Sequence, residues 1–240
     1  MVIGLKIDNF ALKCKFSMQV SENFRQAAFD YKFLLERKYP QKQILKLVSD
    51  KYRLAGNERT MLYRGIFTLR QAEHRKKKQI FSSDALAGQI LYVDALNVLL
   101  TVTGYLKGTM MFVGNDHFLK DASEIHGKPV PYNLMQRAAN LVLDYLNILA
   151  PASCYFILDR PVDSAEKLRP FLENRFNETS IQAEVKISDN PDMFLKNLDN
   201  GICCTSDSGI INRTKAAVFD LARHTLEYHF NPGYVNLQGF

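Results

Sequence analysis

The sequence predicts an α/β protein in which a small helical domain precedes a three-layer α/β/α domain with a mainly parallel sheet. Residues 1–80 carry apolar side chains mainly at helical spacing, whereas from Gly88 short apolar runs alternate with helical patterns. The charge divides at the same place. Residues 1–88 hold 18 Lys and Arg against 8 Asp and Glu, and residues 89–240 hold 13 against 17. We therefore predict a linker at residues 81–88 between the two domains.

The composition is typical of a globular chain, with 47% hydrophobic and 23% charged residues among 240. No apolar run approaches the roughly 18 residues that a membrane span requires, and the first residues lack the apolar core of a signal peptide. These features predict a cytoplasmic protein without a membrane partner, and they leave homo-oligomer formation open. Four cysteines form no CxxC pair, which argues against a zinc site or a disulfide framework. We expect them to pack as small buried side chains.

The helical domain begins with a strand pattern, because apolar and polar residues alternate strictly over residues 12–20. Ser21 then suits a helix N-cap, and apolar residues follow at helical spacing up to Leu35. A second helix is predicted over residues 41–52, and a third begins at Glu58 after the break at LAGN. This arrangement resembles a helix-turn-helix.

The third predicted helix and its tail are strongly basic. Arg59 and Arg64 lie on the helix, and a run of four cations follows at residues 75–78. Clustered cations on one element favour contact with the phosphates of a nucleic acid. The alternative is the solvated exterior of a helical scaffold, and charge alone does not separate the two interpretations.

In the second half, five short apolar runs each reach an aspartate. They are QILYVD, CYFILD, AEVKIS with the following Asp189, GICCTSD and AAVFD, separated by helical patterns. Strands that alternate with helices predict βαβ units and a parallel sheet covered by helices on both faces.

Three of these aspartates, Asp94, Asp159 and Asp207, are predicted to meet at the carboxyl edge of the sheet, where ligands of such folds bind. Clustered carboxylates repel one another unless a cation neutralises them. Oxygen ligands favour a hard divalent ion, so the pattern predicts Mg²⁺ or Mn²⁺ rather than zinc. The alternative is that each aspartate only caps the helix after its strand.

These motifs resemble the PIN/NYN-type nuclease superfamily over residues 89 to about 225. The similar segments are YVDALNVL, YFILDRPVD, SDNPDMFL and CCTSDSGI. The resemblance implies a parallel sheet between helices and RNA cleavage with Mg²⁺ or Mn²⁺. It implies a catalytic set of Asp94, Asp159, Asp192 and Asp207, with Asp94, Asp159 and Asp207 holding the metal. It also implies that Asn97 supports Asp94 or touches substrate, and that Thr205 and Ser206 orient the site through their hydroxyl groups.

The front of the chain, over residues 31–66, is similar to domain-of-unknown-function family number 434, a helical family without an established biochemical function. That family often occurs joined to a second half like this one.

Two features depart from the nuclease pattern. The third acidic position stays open among Asp189, Asp192 and Glu184. The segment 110–130 is not typical of the superfamily. If its strand-like residues 110–113 pair in the sheet, Asp116 lies near the same edge, in reach of substrate. Separately, His126 is a candidate to contact a phosphate or to act as an acid or base. The alternative is that His126 is a loop residue that makes local hydrogen bonds.

The sequence therefore favours a metal-dependent nuclease that acts on RNA rather than DNA, with Arg59 and Arg64 gripping the backbone. The alternative is a non-catalytic nucleic-acid-binding or adaptor protein on the same fold, since a fold does not fix a function. A nucleotide-binding or phosphatase-like role is weaker, because the sequence contains no GxGxxG or GxxxxGK[ST] loop.

Overall fold

A computed structural model describes residues 20–123, 130–160 and 163–240. It confirms the predicted α/β architecture, with N-terminal helices followed by a mainly parallel sheet between two helical layers. The strand predicted at residues 12–20 lies outside the described residues except for Val20.

From residue 20 onward, the N-terminal part contains four helices, α1 (Glu22–Glu36), α2 (Gln41–Lys51), α3 (Gly56–Gly65) and α4 (Leu69–Lys76). Ser21 caps α1 as predicted, because its hydroxyl accepts a hydrogen bond from Phe24 N at 3.1 Å. The third helix begins at Gly56, two residues before the predicted start at Glu58. The basic tail forms α4 instead of extending α3. The Thr68 hydroxyl caps α4 and explains why a new helix begins there.

The main sheet has six strands, all paired in parallel. They are β1 (Gln79–Ile80), β2 (Ile90–Asp94), β5 (Ser153–Asp159), β6 (Gln182–Ser188), β7 (Ile202–Cys204) and β8 (Ala217–Phe219), in the spatial order β1-β8-β7-β2-β5-β6. The five predicted strands are confirmed. β1 was not predicted, because two residues carry no periodic pattern.

Six further helices connect the strands: α5 (Ala95–Leu106), α6 (Tyr132–Leu149), α7 (Asp163–Asn177), α8 (Pro191–Lys196), α9 (Ser208–Arg213) and α10 (Leu221–Phe230). Alternate strand residues point to opposite faces. On β2, Leu91 and Val93 join the core under α5, α6, α7 and α10, whereas Tyr92 joins the core under α8 and α9. Cys204 and Cys203 divide between the same two cores, so both faces of the sheet are covered.

A second, smaller sheet contains β3 (Met111–Val113), β4 (Leu119–Asp121) and β9 (Val235–Asn236), in the order β4-β3-β9. The strand expected near residues 110–113 therefore exists, but it does not pair in the main sheet. It lies under the N-terminal helices, where Phe112 and Val235 share a core with Phe24 and Leu62.

The junction between the two parts is packed. The predicted linker, residues 81–88, contains a short 3₁₀ helix, Ser83–Leu86, and Leu86 is fully buried in the core of the α/β part. The helical part and the α/β part therefore share contacts at this junction as well as through the small sheet. None of the helices in the described ranges is both long and apolar enough to cross a membrane.

Candidate functional site at the carboxyl edge of the sheet

The connections of the main sheet reverse direction between β2 and β7. From β2 the chain continues outward to β5 and β6, and it then returns to β7 and β8 on the other side of β2. In open parallel sheets, ligands bind outside the carboxyl ends of the strands at this reversal. Asp94 ends β2 and caps α5, and Asp207 follows β7 by three residues and caps α9.

Asp94 is 9% exposed, and its carboxylate accepts two hydrogen bonds. Thr205 Oγ1 donates to its Oδ2 at 2.8 Å, and Asn97 N donates to its Oδ1 at 3.4 Å. The pKa of Asp94 is raised to about 7, mainly by burial. The charges of Asp207 and Asp192 also raise this pKa, whereas the hydrogen bonds from Thr205 and Asn97 lower it. This carboxyl group is therefore close to half protonated at neutral pH unless a cation approaches.

The Asn97 side chain ties the start of α5 to the loop after β7. Its Oδ1 accepts hydrogen bonds from Ser206 N at 2.9 Å and from Ser206 Oγ at 3.1 Å. The expected support of Asp94 by Asn97 comes from the backbone N–H, while the side chain fixes the residue before Asp207.

Asp207 is exposed, and one of its carboxylate oxygens is already engaged. Its Oδ1 accepts from Gly209 N at 2.7 Å and from Ile210 N at 3.0 Å, which satisfies the first N–H groups of α9. Asp207 N in turn donates to Thr205 Oγ1 at 3.1 Å. Asp207 thus caps α9, as the alternative interpretation of the sequence predicted, and it also lies at the carboxyl edge of the sheet.

The three candidates for a third acidic group lie in different surroundings. Asp192, in the first turn of α8, forms an ion pair with Lys196 and is close enough to raise the pKa of Asp94. Asp189 forms an exposed ion pair with Arg160, and Glu184 pairs with Lys186 at 3.3 Å.

Asp159 ends β5 beside β2, but further along the edge. The strand register places Asp94 opposite Ile157, so Asp159 lies two residues beyond it, roughly 6.6 Å along the strand direction. Among the described residues, no three His, Cys, Asp or Glu side chains come together closely enough to hold a metal ion. Asp94, Asp159 and Asp207 therefore border one edge without forming a closed group of three carboxylates.

A cleft of about 230 Å³ opens beside Asp207, and we call it the edge cleft. One wall comes from the α/β part and one from the N-terminal helices. Its lining residues are Asn97, Lys120, Ser206, Asp207, Ser208, Gln41, Tyr63, Arg64 and Phe67.

Asp116 does not face this cleft, which corrects the expectation that it contacts substrate at the sheet edge. It is fully buried, and its Oδ2 accepts from Arg75 Nη1 at 2.8 Å and lies 3.5 Å from Lys120 Nζ. The reason is that β3 pairs in the small sheet, which turns Asp116 inward. Lys120, which the sequence reasoning missed, reaches the cleft instead.

The two arginines predicted to bind phosphate differ. Arg59 is engaged within the helical part, where it pairs with Asp50 at 3.1 Å and donates from Nε to the Leu54 carbonyl at 3.0 Å. Arg64 pairs with Asp121 at 3.0 Å and also borders the edge cleft. His126 lies outside the described residues.

Residues 83–224 match a family model described as a domain of unknown function, DUF5616. The chain belongs to this family. Residues 23–78 match a second model, a protein of unknown function, DUF434, which confirms the resemblance seen in the front of the sequence. An uncharacterized protein of Methanocaldococcus jannaschii is 28% identical over 210 residues, which covers 86% of this chain and 98% of the relative. No solved structure matches the chain.

The edge cleft therefore lies between the DUF434 segment and the DUF5616 segment. Gln41, Tyr63, Arg64 and Phe67 come from the first, and the other lining residues come from the second. Both segments are needed to complete its walls.

Proposed function

We propose that this DUF5616 protein is a metal-dependent nuclease that hydrolyses phosphodiester bonds in RNA beside the edge cleft. One observation carries the proposal. Asp94 and Asp207 follow adjacent strands at the point where the sheet connections reverse, and Asp207 helps to raise the pKa of Asp94 to about 7. The resemblance of the strand-end motifs to PIN/NYN-type nucleases supports it.

The residues fit a hard divalent ion with few protein ligands. Mg²⁺ is usually held by one or two carboxylates and keeps several waters. Asp94 and Asp207 would hold it through their carboxylate oxygens, while Asp192 is engaged by Lys196 and Asp159 lies further along the edge. When bound, such an ion lowers the pKa of a water molecule and offsets negative charge on phosphate oxygens.

The protein's own groups prepare the site. Thr205 holds Asp94 through its hydroxyl, and Asn97 holds Ser206 and so fixes the loop that carries Asp207. Lys120 and Arg64 bring positive charge to the cleft, where a phosphodiester would be attracted.

The size and lining of the cleft favour a single RNA strand. A volume of about 230 Å³ is smaller than a typical drug-sized pocket, which suits one flexible strand rather than a duplex. The side chains of Gln41, Tyr63 and Ser208 border it with donors and acceptors. Such groups can recognise a ribose 2′-hydroxyl, which distinguishes RNA from DNA.

The test is cleavage of a 5′-labelled single-stranded RNA with Mn²⁺, with Mg²⁺ and with EDTA. We expect cleavage with either metal and at least a ~100-fold slower rate for Asp94→Asn and for Asp207→Asn. Asp144→Asn, on the exposed side of α6, is the matched control and keeps the wild-type rate. Binding of RNA without cleavage in either metal would make this a non-catalytic nucleic-acid-binding protein. Cleavage unaffected by both site substitutions would overturn the assignment of the site.

A further inference from the structure

Two cations share one carboxylate behind the edge cleft. Arg75 on α4 and Lys120 on β4 both approach Asp116, and their side chains are 2% and 6% exposed. Arg75 also donates from Nε to Asn212 Oδ1 at 2.8 Å and stacks over the Phe67 ring at 3.9 Å. The group of Arg75, Asp116 and Lys120, which we call the buried cation cluster, carries one more positive than negative charge.

Asp220 is a nearby acid, but its oxygens are engaged elsewhere. Its Oδ2 accepts from Leu119 N at 2.7 Å, and its Oδ1 accepts from Arg223 N at 3.2 Å. Burial raises the pKa of Asp220 to about 6, although Lys120 and Arg223 lower it. Burial lowers the pKa of Lys120, whereas the charges of Asp116 and Asp220 raise it, so an anion in the edge cleft would further stabilise its ammonium form.

Lys120 also has unused hydrogen-bonding capacity on the side of the cleft. An ammonium group has three N–H donors. Within the described ranges, its acceptors are the Ser206 carbonyl at 3.2 Å and Asp116 at 3.5 Å. One donor is left for a group in the edge cleft, which Lys120 lines.

Arg64 approaches the same cleft from the DUF434 segment. Its Nη1 donates to the Asp121 carbonyl at 3.1 Å and to Asp121 Oδ2 at 3.0 Å. A guanidinium group has five N–H donors, and the Arg64 side chain is 37% exposed, so its remaining donors are accessible.

From this geometry we infer that the edge cleft is a phosphate-binding site, built by Lys120 of the DUF5616 segment and Arg64 of the DUF434 segment. The ligand is a backbone phosphate of the RNA strand, held beside the bond that is cut. Its identification as RNA rests on the proposed function, whereas the preference for an anion comes from the cationic N–H donors that Lys120 and Arg64 bring to the cleft. The helical segment thus completes a shared site, which explains why α3 carries Arg64 toward the sheet.

The test measures binding in EDTA, so that no metal and no cleavage contribute. Fluorescence anisotropy of a labelled single-stranded RNA is followed over a salt series for the full chain. For Lys120→Met we expect affinity to fall about tenfold and the salt slope to decrease by about 0.7 to 1, as for one lost phosphate contact. Lys120→Arg keeps the positive charge and should restore the wild-type salt slope. Arg64→Gln removes a positive charge and should lower the salt slope.

Lys78→Met is the matched control. Its ammonium is also partly buried and donates to the carbonyls of Ile211 at 2.8 Å and Thr214 at 2.6 Å, but it does not line the edge cleft. Thermal unfolding of each variant confirms that it is folded. Unchanged RNA affinity and salt slope in folded Lys120→Met, together with no stabilisation of the wild type by inorganic phosphate, would overturn the phosphate site.

Inorganic phosphate separates the two sources of the same group. One possible result is that inorganic phosphate raises the unfolding temperature of the wild type but not of Lys120→Met, while both bind RNA with the same affinity. The cleft then binds a small phosphate, and the assignment of RNA as its ligand is wrong. The proposed function fails separately, if the wild type cleaves RNA with neither Mn²⁺ nor Mg²⁺. In that case a lower affinity of Lys120→Met still supports the phosphate site.

Discussion

Thr205 and Asp94 are joined by a hydrogen bond across 111 residues of sequence, with Oγ1 to Oδ2 at 2.8 Å. The same hydroxyl oxygen accepts from Asp207 N at 3.1 Å, so one side chain connects the ends of β2 and β7. Because the Thr205 hydrogen bond lowers a pKa that burial raises, Thr205 keeps Asp94 available as a carboxylate.

Replacing Thr205 with valine should therefore raise the pKa of Asp94 further and move the rise of any metal-dependent activity to higher pH. It also leaves a buried acceptor and the Asp207 N–H without this partner, at a cost of about 1–3 kcal/mol in the free energy of unfolding. A carbon-13 NMR titration of labelled aspartates measures the pKa directly. Thr205→Ser keeps the hydroxyl and serves as control. An Asp94 pKa that is equal in the valine and serine variants would show that the hydroxyl has no such influence.

The raised pKa values of Asp94 and Asp220, about 7 and about 6, predict a loss of stability as pH rises. Both exceed 3.8, the ordinary pKa of an aspartate side chain, so between about pH 4 and pH 7 the folded chain binds more protons than the unfolded chain. Their contribution to stability is complete below about pH 4 and is lost as pH rises through the folded values. Each pKa unit corresponds to about 1.4 kcal/mol, so Asp94→Asn should gain a few kcal/mol relative to wild type at pH 8.

The comparison with the variant is decisive because other groups oppose this trend. Burial lowers the pKa of His117 and of His224, and this makes stability rise with pH near neutrality. Urea unfolding of wild type and Asp94→Asn from pH 4.5 to pH 8 isolates the Asp94 contribution. A difference between the two that does not change with pH would contradict the raised pKa.

The main sheet could be predicted because its signals are local. Asp94, Asp207 and Asp220 each end an apolar run and cap the next helix, so strand end and helix start are readable within a few residues. No comparable local sequence pattern predicts that β3, β4 and β9 form one sheet. Its strands have two or three residues, and Phe112 pairs with Val235 from the far end of the chain.

The acidic half of the site was predictable for the same reason, whereas Arg64 was predicted from the cationic half but the buried cations Arg75 and Lys120 were not. Arg75 stands in a run of four cations that is typical of a solvated surface, yet it is 2% exposed. Its partner Asp116 lies on a hairpin that follows α5, and nothing near either residue in sequence indicates the pairing. A charged residue reveals its partner only through the tertiary fold.

The buried pair of Arg75 and Asp116 should be among the costliest to break. Arg75→Met leaves Asp116 with Lys120 alone and removes the bond to Asn212, and we expect a loss of about 3–5 kcal/mol. The double variant with Asp116→Asn should lose at least as much, because it also leaves the buried Lys120 ammonium without its carboxylate partner. Chemical denaturation measures the free energy of unfolding of the single and the double variant.

Arg25→Met is the comparison for that pair, since Arg25 and Glu22 are 51% and 70% exposed. An exposed ion pair contributes about 0–1 kcal/mol, so this variant should remain close to wild type. Equal losses for Arg25→Met and Arg75→Met would show that burial does not determine the strength of the Asp116 pair.

Gly65 is the point where the end of α3 meets the small sheet. A Cβ at this position would lie 2.5 Å from Phe112 Cε2 and 2.9 Å from Leu237 Cδ1, both fully buried. Its carbonyl accepts from Asn115 N at 2.9 Å, so the backbone cannot move away without losing that bond. Gly65→Ala should therefore cost about 1–3 kcal/mol through overpacking. It should also weaken RNA binding, because it displaces the neighbouring Arg64 in the edge cleft.

Gly104→Ala is the matched control. A Cβ at Gly104 would meet nothing nearer than 3.9 Å, and inside α5 alanine stabilises the helix by up to about 1 kcal/mol relative to glycine. Thermal unfolding measures the stability of both variants, and fluorescence anisotropy on the same samples measures their affinity for RNA. A Gly65→Ala variant as stable as wild type would mean that α3 and the small sheet can separate, and the two-walled cleft would then lose its fixed geometry.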